Sequence, residues 1–309
     1  MRRSPLVTAT LLAGLVATGV AAAGVPSSVT AHGAVGAVAF DGARVAYAVG
    51  ASPGDCNRVR LWNISTGGIT RLGRGASCVQ TSTGTGIAAV AIAGNRAIWL
   101  NYIGGNIREW TLWTASGTSP KPRQLAFVAR DVDEPSPIVV GDGNTSRKGD
   151  LLPYAVDRAV VVLRTSGARR FTWRAPTQVV ALDARDGQVA VATEDGTVTI
   201  LDAAGHVLTE EDVGPGITAV QLSGNAVVAQ VGRTLDVVGP GPIRQFMLPS
   251  GSRLQDALES TALYTVGGSL ISLSTSTGDR LVVARGSAGA LEGSLAAVAS
   301  GHRVLLRPA

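Results

Sequence analysis

Short β-branched runs alternate with turn residues along almost the whole chain. From Val35 to Gly50, VGAVAFDGARVAYAVG reads as a strand, an Asp41-Gly42 turn and a second strand, which is a strong local hairpin signal. The same phrase returns as IAAVAIAGNRAIWLNY from Ile87, VVALDARDGQVAVATE from Val179, ITAVQLSGNAVVAQVG from Ile217 and SLAAVASGHRVLLRPA from Ser294, with a weaker copy, LQDALESTALYTVGG, from Leu254. Each is followed by a second hairpin whose turn carries glycine, as in VRLWNISTGGITRLG from Val59 to Gly73. Sustained apolar spacing of three to four residues is absent, and glycine recurs too often for long helices.

The second-hairpin turns centre on Gly67, Gly117, Gly167, Gly205, Gly241 and Gly278, at intervals of 50, 50, 38, 36 and 37 residues. Four strands in about 40 residues is the period of a propeller blade, whose sheet buries both faces only between neighbours. The pattern predicts an all-β fold, a β-propeller of four-stranded antiparallel blades. Seven blades are preferred, with six or eight as alternatives. Complete repeats start near Val35, Ile87, Pro137, Val179, Ile217 and Leu254. The third is irregular, with SPIVVGDG and LLPYAVD separated by a polar loop. The last, from Ser294, supplies two strands, so the segment Ser27 to His32 is expected to complete it and close the ring.

These repeats resemble those of bacterial WD40-like, TolB-like and YncE-like propellers over nearly the whole chain. The WD40 Trp-Asp signature is missing, and Trp62-Asn63 is its nearest echo.

The start of the chain changes the picture of where it works. Arg2 and Arg3 precede an uncharged run from Leu6 to Val20 and the small residues Ala21-Ala22-Ala23-Gly24, the layout of a secretory signal peptide. Residues 1–23 are expected to be removed, leaving 24–309 as one propeller domain; a retained N-terminal anchor is the alternative. The apolar run is too short and too rich in Gly, Ala and Thr for a membrane span, so none is expected after cleavage. In an exported chain the two cysteines, Cys56 and Cys78, read as a disulfide, worth about 3 kcal/mol in the chain-entropy model for a loop of roughly 20 residues.

The net charge of +5 falls to +3 without Arg2 and Arg3, too small to imply nucleic acid. The cations are almost all arginine in a chain rich in Ala, Gly and Val, the composition of a high-GC bacterial genome. Candidate chemistry is sparse. No G-x-S-x-G elbow occurs, the three histidines are isolated from one another, and no catalytic residue is assigned. Asp142, Asn144 and Ser146 alternate as oxygen ligands do in a calcium loop, but Arg147 stands where the turn wants glycine and Pro153 where a closing Glu belongs. A solvated loop is the plainer reading, with calcium the only cofactor suggested. In ARRFTWRAP, Arg169, Arg170 and Arg174 flank Phe171 and Trp173. They read as a patch for an anionic or carbohydrate ligand, or else as a charged outer strand protected against edge pairing.

The function expected from this reading is a non-enzymatic binding or scaffold propeller outside the cytoplasm, recognising a protein or cell-envelope polymer through loops. The alternative is a propeller-type hydrolase or lactonase with its centre at the channel mouth. That enzyme calls for polar groups at the beginnings of the innermost strands, and Val35, Ile87, Val179 and Ile217 stand there instead.

Overall fold

The computed structural model describes residues 27–50, 58–73 and 84–309. The proposed signal peptide and both Cys56 and Cys78 lie outside these residues. The described chain forms seven antiparallel sheets and no helix, so none is present that is long and apolar enough to cross a membrane. We number the sheets as blades 1–7 in chain order. Their innermost strands are Val35–Asp41, Thr85–Ala93, the broken strand Ile138–Val140 and Asn144–Ser146, Val179–Arg185, Ile217–Ser223, Arg253–Leu258 and Ala288–Glu292.

Seven apolar clusters hold the ring, one at each junction. Phe40, Tyr47 and Trp62 of blade 1 pack on Ala297 and Val304 of blade 7, while Leu61 and Leu72 on the other face meet Ile92 and Trp99 of blade 2. Corresponding clusters join blades 2–3, 3–4, 4–5, 5–6 and 6–7. This follows from the strand period of two: alternate residues point to opposite faces, and in a blade both faces are covered. The tryptophans are spent here. Trp110 and Trp113, three apart, fall into different clusters on opposite faces, and Trp62, Trp99 and Trp110 are buried.

Closure comes from the N-terminal side, as the pattern predicts. Ser28–Thr30 pairs with Arg303–Pro308 as the outer strand of blade 7, so the two ends of the chain lock each other and one potential free edge disappears. The division differs from expectation, because the C-terminal region supplies three strands and not two. The inner one, Ala288–Glu292, reads AGALE, and its small residues give no strand signal.

The expected polar loop of the third repeat is also corrected. Asn144–Ser146 and Ile138–Val140 pair with the same neighbour, Gly149–Val156, so Gly141-Asp142-Gly143 is a bulge within the innermost strand. Both glycines are required by close approach. A Cβ on Gly141 would lie 2.6 Å from Leu182 Cβ and 2.8 Å from its backbone in blade 4, and one on Gly143 would lie 2.5 Å from Ile92 O in blade 2. We expect Gly141→Ala to cost about 1–3 kcal/mol, as overpacking does, read as a lower urea midpoint at unchanged slope. An unchanged midpoint would refute the close packing.

Candidate functional site

Ionisable groups from five blades converge where the innermost strands end in their hairpins: Asp41, Asp142, Asp183, Arg185, Asp256 and Glu292. The beginnings expected for these strands, at Val35, Ile87, Val179 and Ile217, are apolar, and the charged groups stand near the ends, which carry no expectation from the sequence. A signal was present. In blade 1 the acid stands at the last position of the inner strand, in FDG, and in blades 4 and 6 it stands two positions earlier, in LDAR and LQDAL. A period of two puts such positions on one face.

The carboxylates tie blades together through backbone amides. Asp183 Oδ2 accepts from Leu222 N of blade 5 at 2.6 Å, and Asp256 Oδ2 accepts from Leu291 N of blade 7 at 2.6 Å. Asp41 Oδ2 accepts from Gly94 N of blade 2 at 2.5 Å and from the Thr145 hydroxyl of blade 3 at 2.7 Å, while its Oδ1 takes the Thr145 amide at 3.2 Å. Three links skip a blade: Asp41 to Thr145, Gln221 Nε2 to Asp142 Oδ2 at 3.3 Å, and Arg185 to Asp256 Oδ1 at 3.1 Å. The bond from Arg185 to Asp256 is charge-assisted, the stronger class, and the three together brace the ring from inside.

The electrostatics follow from burial. Arg185 is the cation of the group. Desolvation opposes its charge, yet Asp256, Asp183, Asp142 and Glu292 raise its pKa above the ordinary value. Burial pushes Asp183 up to about 7, with Arg185 pulling it back and Asp256 pushing further. Burial, then repulsion from Asp256 and Asp183, holds Asp142 well above the usual carboxylate range. Asp41, Asp256 and Glu292 are raised for the same first reason. Asp183 is 0% exposed and Asp256 2% exposed. The cluster can therefore retain protons near neutrality, but a substrate has no surface of Asp183 to reach. Asp41 is buried as well, while Asp142 and Glu292 are half-buried.

The predicted calcium residues take three separate roles. Asp142 faces Gln221, and its own carbonyl accepts from Ala184 N at 2.9 Å. Asn144 Oδ1 accepts from Asp186 N at 3.2 Å, and Ser146 Oγ accepts from Lys148 N at 3.2 Å in the hairpin turn. Among the described residues no three of His, Cys, Asp and Glu are grouped as metal ligands. The predicted ligand patch is the outer strand of blade 3, Arg169–Arg174. Its rings are half-buried against the core shared with blade 4, Arg170 Nε donates to Ala203 O at 2.5 Å, and Arg169 and Arg174 are exposed.

Outside the channel, the outer strands of blades 4, 5 and 6 expose Val207, Leu208, Met247, Leu281 and Val282, the last two at 63%. Arg280 of blade 6 donates to Met247 O of blade 5 at 2.6 Å, which makes these two edges neighbours. A groove of about 360 Å³ runs between blades 4 and 5, walled by Ile200, Leu208, Val227 and Val238, with Glu211 at its lip.

No family model matches the chain, and no curated protein matches it. Solved structures do. A chain in the crystal structure of the mitotic checkpoint complex is 16% identical with a TM-score of 0.58, covering 99% of both chains. Raptor from Chaetomium thermophilum is 11% identical with a TM-score of 0.56, over 91% of this chain and 28% of its own. Sqt1 from Saccharomyces cerevisiae is 11% identical with a TM-score of 0.52, over 91% of this chain and 98% of its own. At these identities the likeness concerns the fold alone, an all-β propeller of four-stranded antiparallel sheets.

Proposed function

We propose that this protein is a binding scaffold, an exported propeller that recognises another protein through the outer faces of blades 4–6. The observation that carries the reading is the exposure of Leu208, Met247, Leu281 and Val282 on three consecutive outer strands, because exposed apolar surface marks interaction sites. The channel supports it from the other side, since Asp41, Asp183 and Asp256 are buried there and bonded to the backbone amides of other blades. One similar fold comes from the structure of a multiprotein complex. The charged start, apolar run and small residues before Gly24 support export. The likeness of the repeats to TolB-like and YncE-like propellers supports a bacterial envelope setting, where the partner is a protein or envelope polymer.

The reading is tested by cross-linking in the native envelope with a photoreactive residue placed at Leu208, Leu281 or, as a control, Thr70 of blade 1. A discrete adduct from the blade 4–6 positions that disappears in L281D/V282D, with an unchanged melting curve, supports it. Adducts from Thr70 alone, or adducts insensitive to the double substitution, refute it.

A further inference from the structure

A second groove, of about 360 Å³, opens between blades 2 and 3 and is lined by Arg96, Lys121 and Arg123 together with the hydroxyls of Thr114, Ser119 and Ser166. It contains no acidic residue. Among the described residues the ion pairs are Arg130 with Glu134 and Asp157, Arg185 with Asp256, and His206 with Asp202, so none involves these three cations.

Arg96 is held in place by neutral acceptors. Its Nε donates to Thr165 O at 2.7 Å, and its terminal nitrogens donate to Ser166 O at 3.0 Å and the Thr114 hydroxyl at 3.3 Å. A guanidinium has five N–H donors, so two remain for a ligand. Arg123 donates to Gly167 O at 3.2 Å, which sets a second guanidinium on the same turn. Gly167 itself has φ of 86°, and a Cβ there would lie 2.7 Å from Arg96 Cζ. The turn thus comes against the guanidinium only because it has no side chain. Burial and then the proximity of Arg123 lower the Arg96 pKa, as uncompensated neighbouring cations require. The Thr114 hydroxyl is buried and donates to Ala97 O at 2.9 Å, so two guanidinia fixed by carbonyls, a lysine and the hydroxyls of Ser119 and Ser166, with no carboxylate in the lining, form a preorganised anion site.

We propose that this groove binds a tetrahedral oxyanion group, the phosphoryl or sulfuryl group of a larger ligand. Three positive charges match a dianion better than a carboxylate, and hydroxyls from both walls suit oxygens pointing in several directions. The proposal is independent of the apolar faces of blades 4–6, and either can fail alone.

The test is an NMR titration of the folded protein with inorganic phosphate, sulfate and acetate at fixed ionic strength. Phosphate or sulfate is expected to shift the amides of Ser166 and Gly167 saturably, with acetate at least about tenfold weaker, as fewer charge-assisted hydrogen bonds entail. A phosphate-only response assigns a phosphoryl ligand, and an equal sulfate response assigns either oxyanion. K121Q/R123Q, at exposed positions, should weaken binding by about tenfold or more through the same loss, and Gly167→Ala should weaken it by displacing Arg96. Absence of saturable shifts, equal binding of acetate, or undiminished binding in K121Q/R123Q overturns the proposal.

Discussion

Replacement of Arg185 by methionine is expected to destabilise the protein by about 3–5 kcal/mol, the cost of removing one partner from a buried ion pair. Arg185 is 8% exposed and donates to Asp256, which is 2% exposed. Without it, Asp256, Asp183 and Asp142 face one another across the channel with no counter-charge. Asp256 and Asp183 must each take up a proton or remain buried and ionised. The loss should therefore be larger at pH 8 than at pH 5, where the carboxyls are more readily protonated. At about 2–4 °C per kcal/mol for a domain of this size, the thermal midpoint should fall by on the order of 10 °C. A change below about 1 kcal/mol, within the range of ordinary surface substitutions and exposed ion pairs, would show that Arg185 does not brace the ring.

The second large effect is a pH dependence opposite to that of most proteins. Asp183 has an ordinary value of 3.8 and is raised to about 7 in the fold. Between those values the folded state binds a proton that the unfolded state has released. Stability is then fully present below about pH 4 and is lost as pH rises toward 7, levelling off above it. A shift of roughly three units corresponds to about 4 kcal/mol for an isolated group, and coupling with Arg185 and Asp256 spreads it over the cluster. Asp142, Asp256, Asp41 and Glu292 are raised too and act in the same direction. Asp195 and Asp202 are lowered by hydrogen bonds, so their opposing effect is confined to pH values below their ordinary 3.8. Urea midpoints should consequently be higher at pH 5.0 than at pH 7.5. Asp183→Asn keeps an oxygen for the Leu222 amide and removes the titration, so its midpoint should vary less over this interval. Wild-type protein that is more stable at pH 7.5, or an unchanged slope in the variant, would contradict the account.

The parts of the fold legible in the sequence are those encoded locally. The Asp41-Gly42 turn, the alternation in VVALDAR and AVVAQV and the even spacing of glycine turns each report a hairpin without knowledge of the rest. Closure by residues near Ser28 was legible because an incomplete last repeat needs a strand. The strand AGALE was not, since Ala and Gly carry no β signal and only burial between blades 6 and 1, with Ala288 and Ala290 toward blade 1 and Gly289 and Leu291 toward blade 6, makes them a strand. The bulge at Asp142 hid blade 3 for a related reason, because Gly141-Asp142-Gly143 reads locally as a turn. The channel brace was least legible. Asp41 meets Thr145, and Arg185 meets Asp256, across a ring that exists only once all its blades are assembled. The groove at Arg96 likewise needs a turn 70 residues away to supply the carbonyl of Ser166.

The central claim is that the channel groups hold the ring together while recognition occurs on its outer faces. Affinity capture from the native envelope, run side by side with wild type, Asp183→Asn and L281D/V282D, tests it most directly. The account predicts that one and the same partner is retained by wild type and Asp183→Asn and lost from L281D/V282D, all three remaining folded by circular dichroism. A partner, or a catalytic turnover, lost with Asp183→Asn and retained by L281D/V282D would contradict it and return the function to the channel.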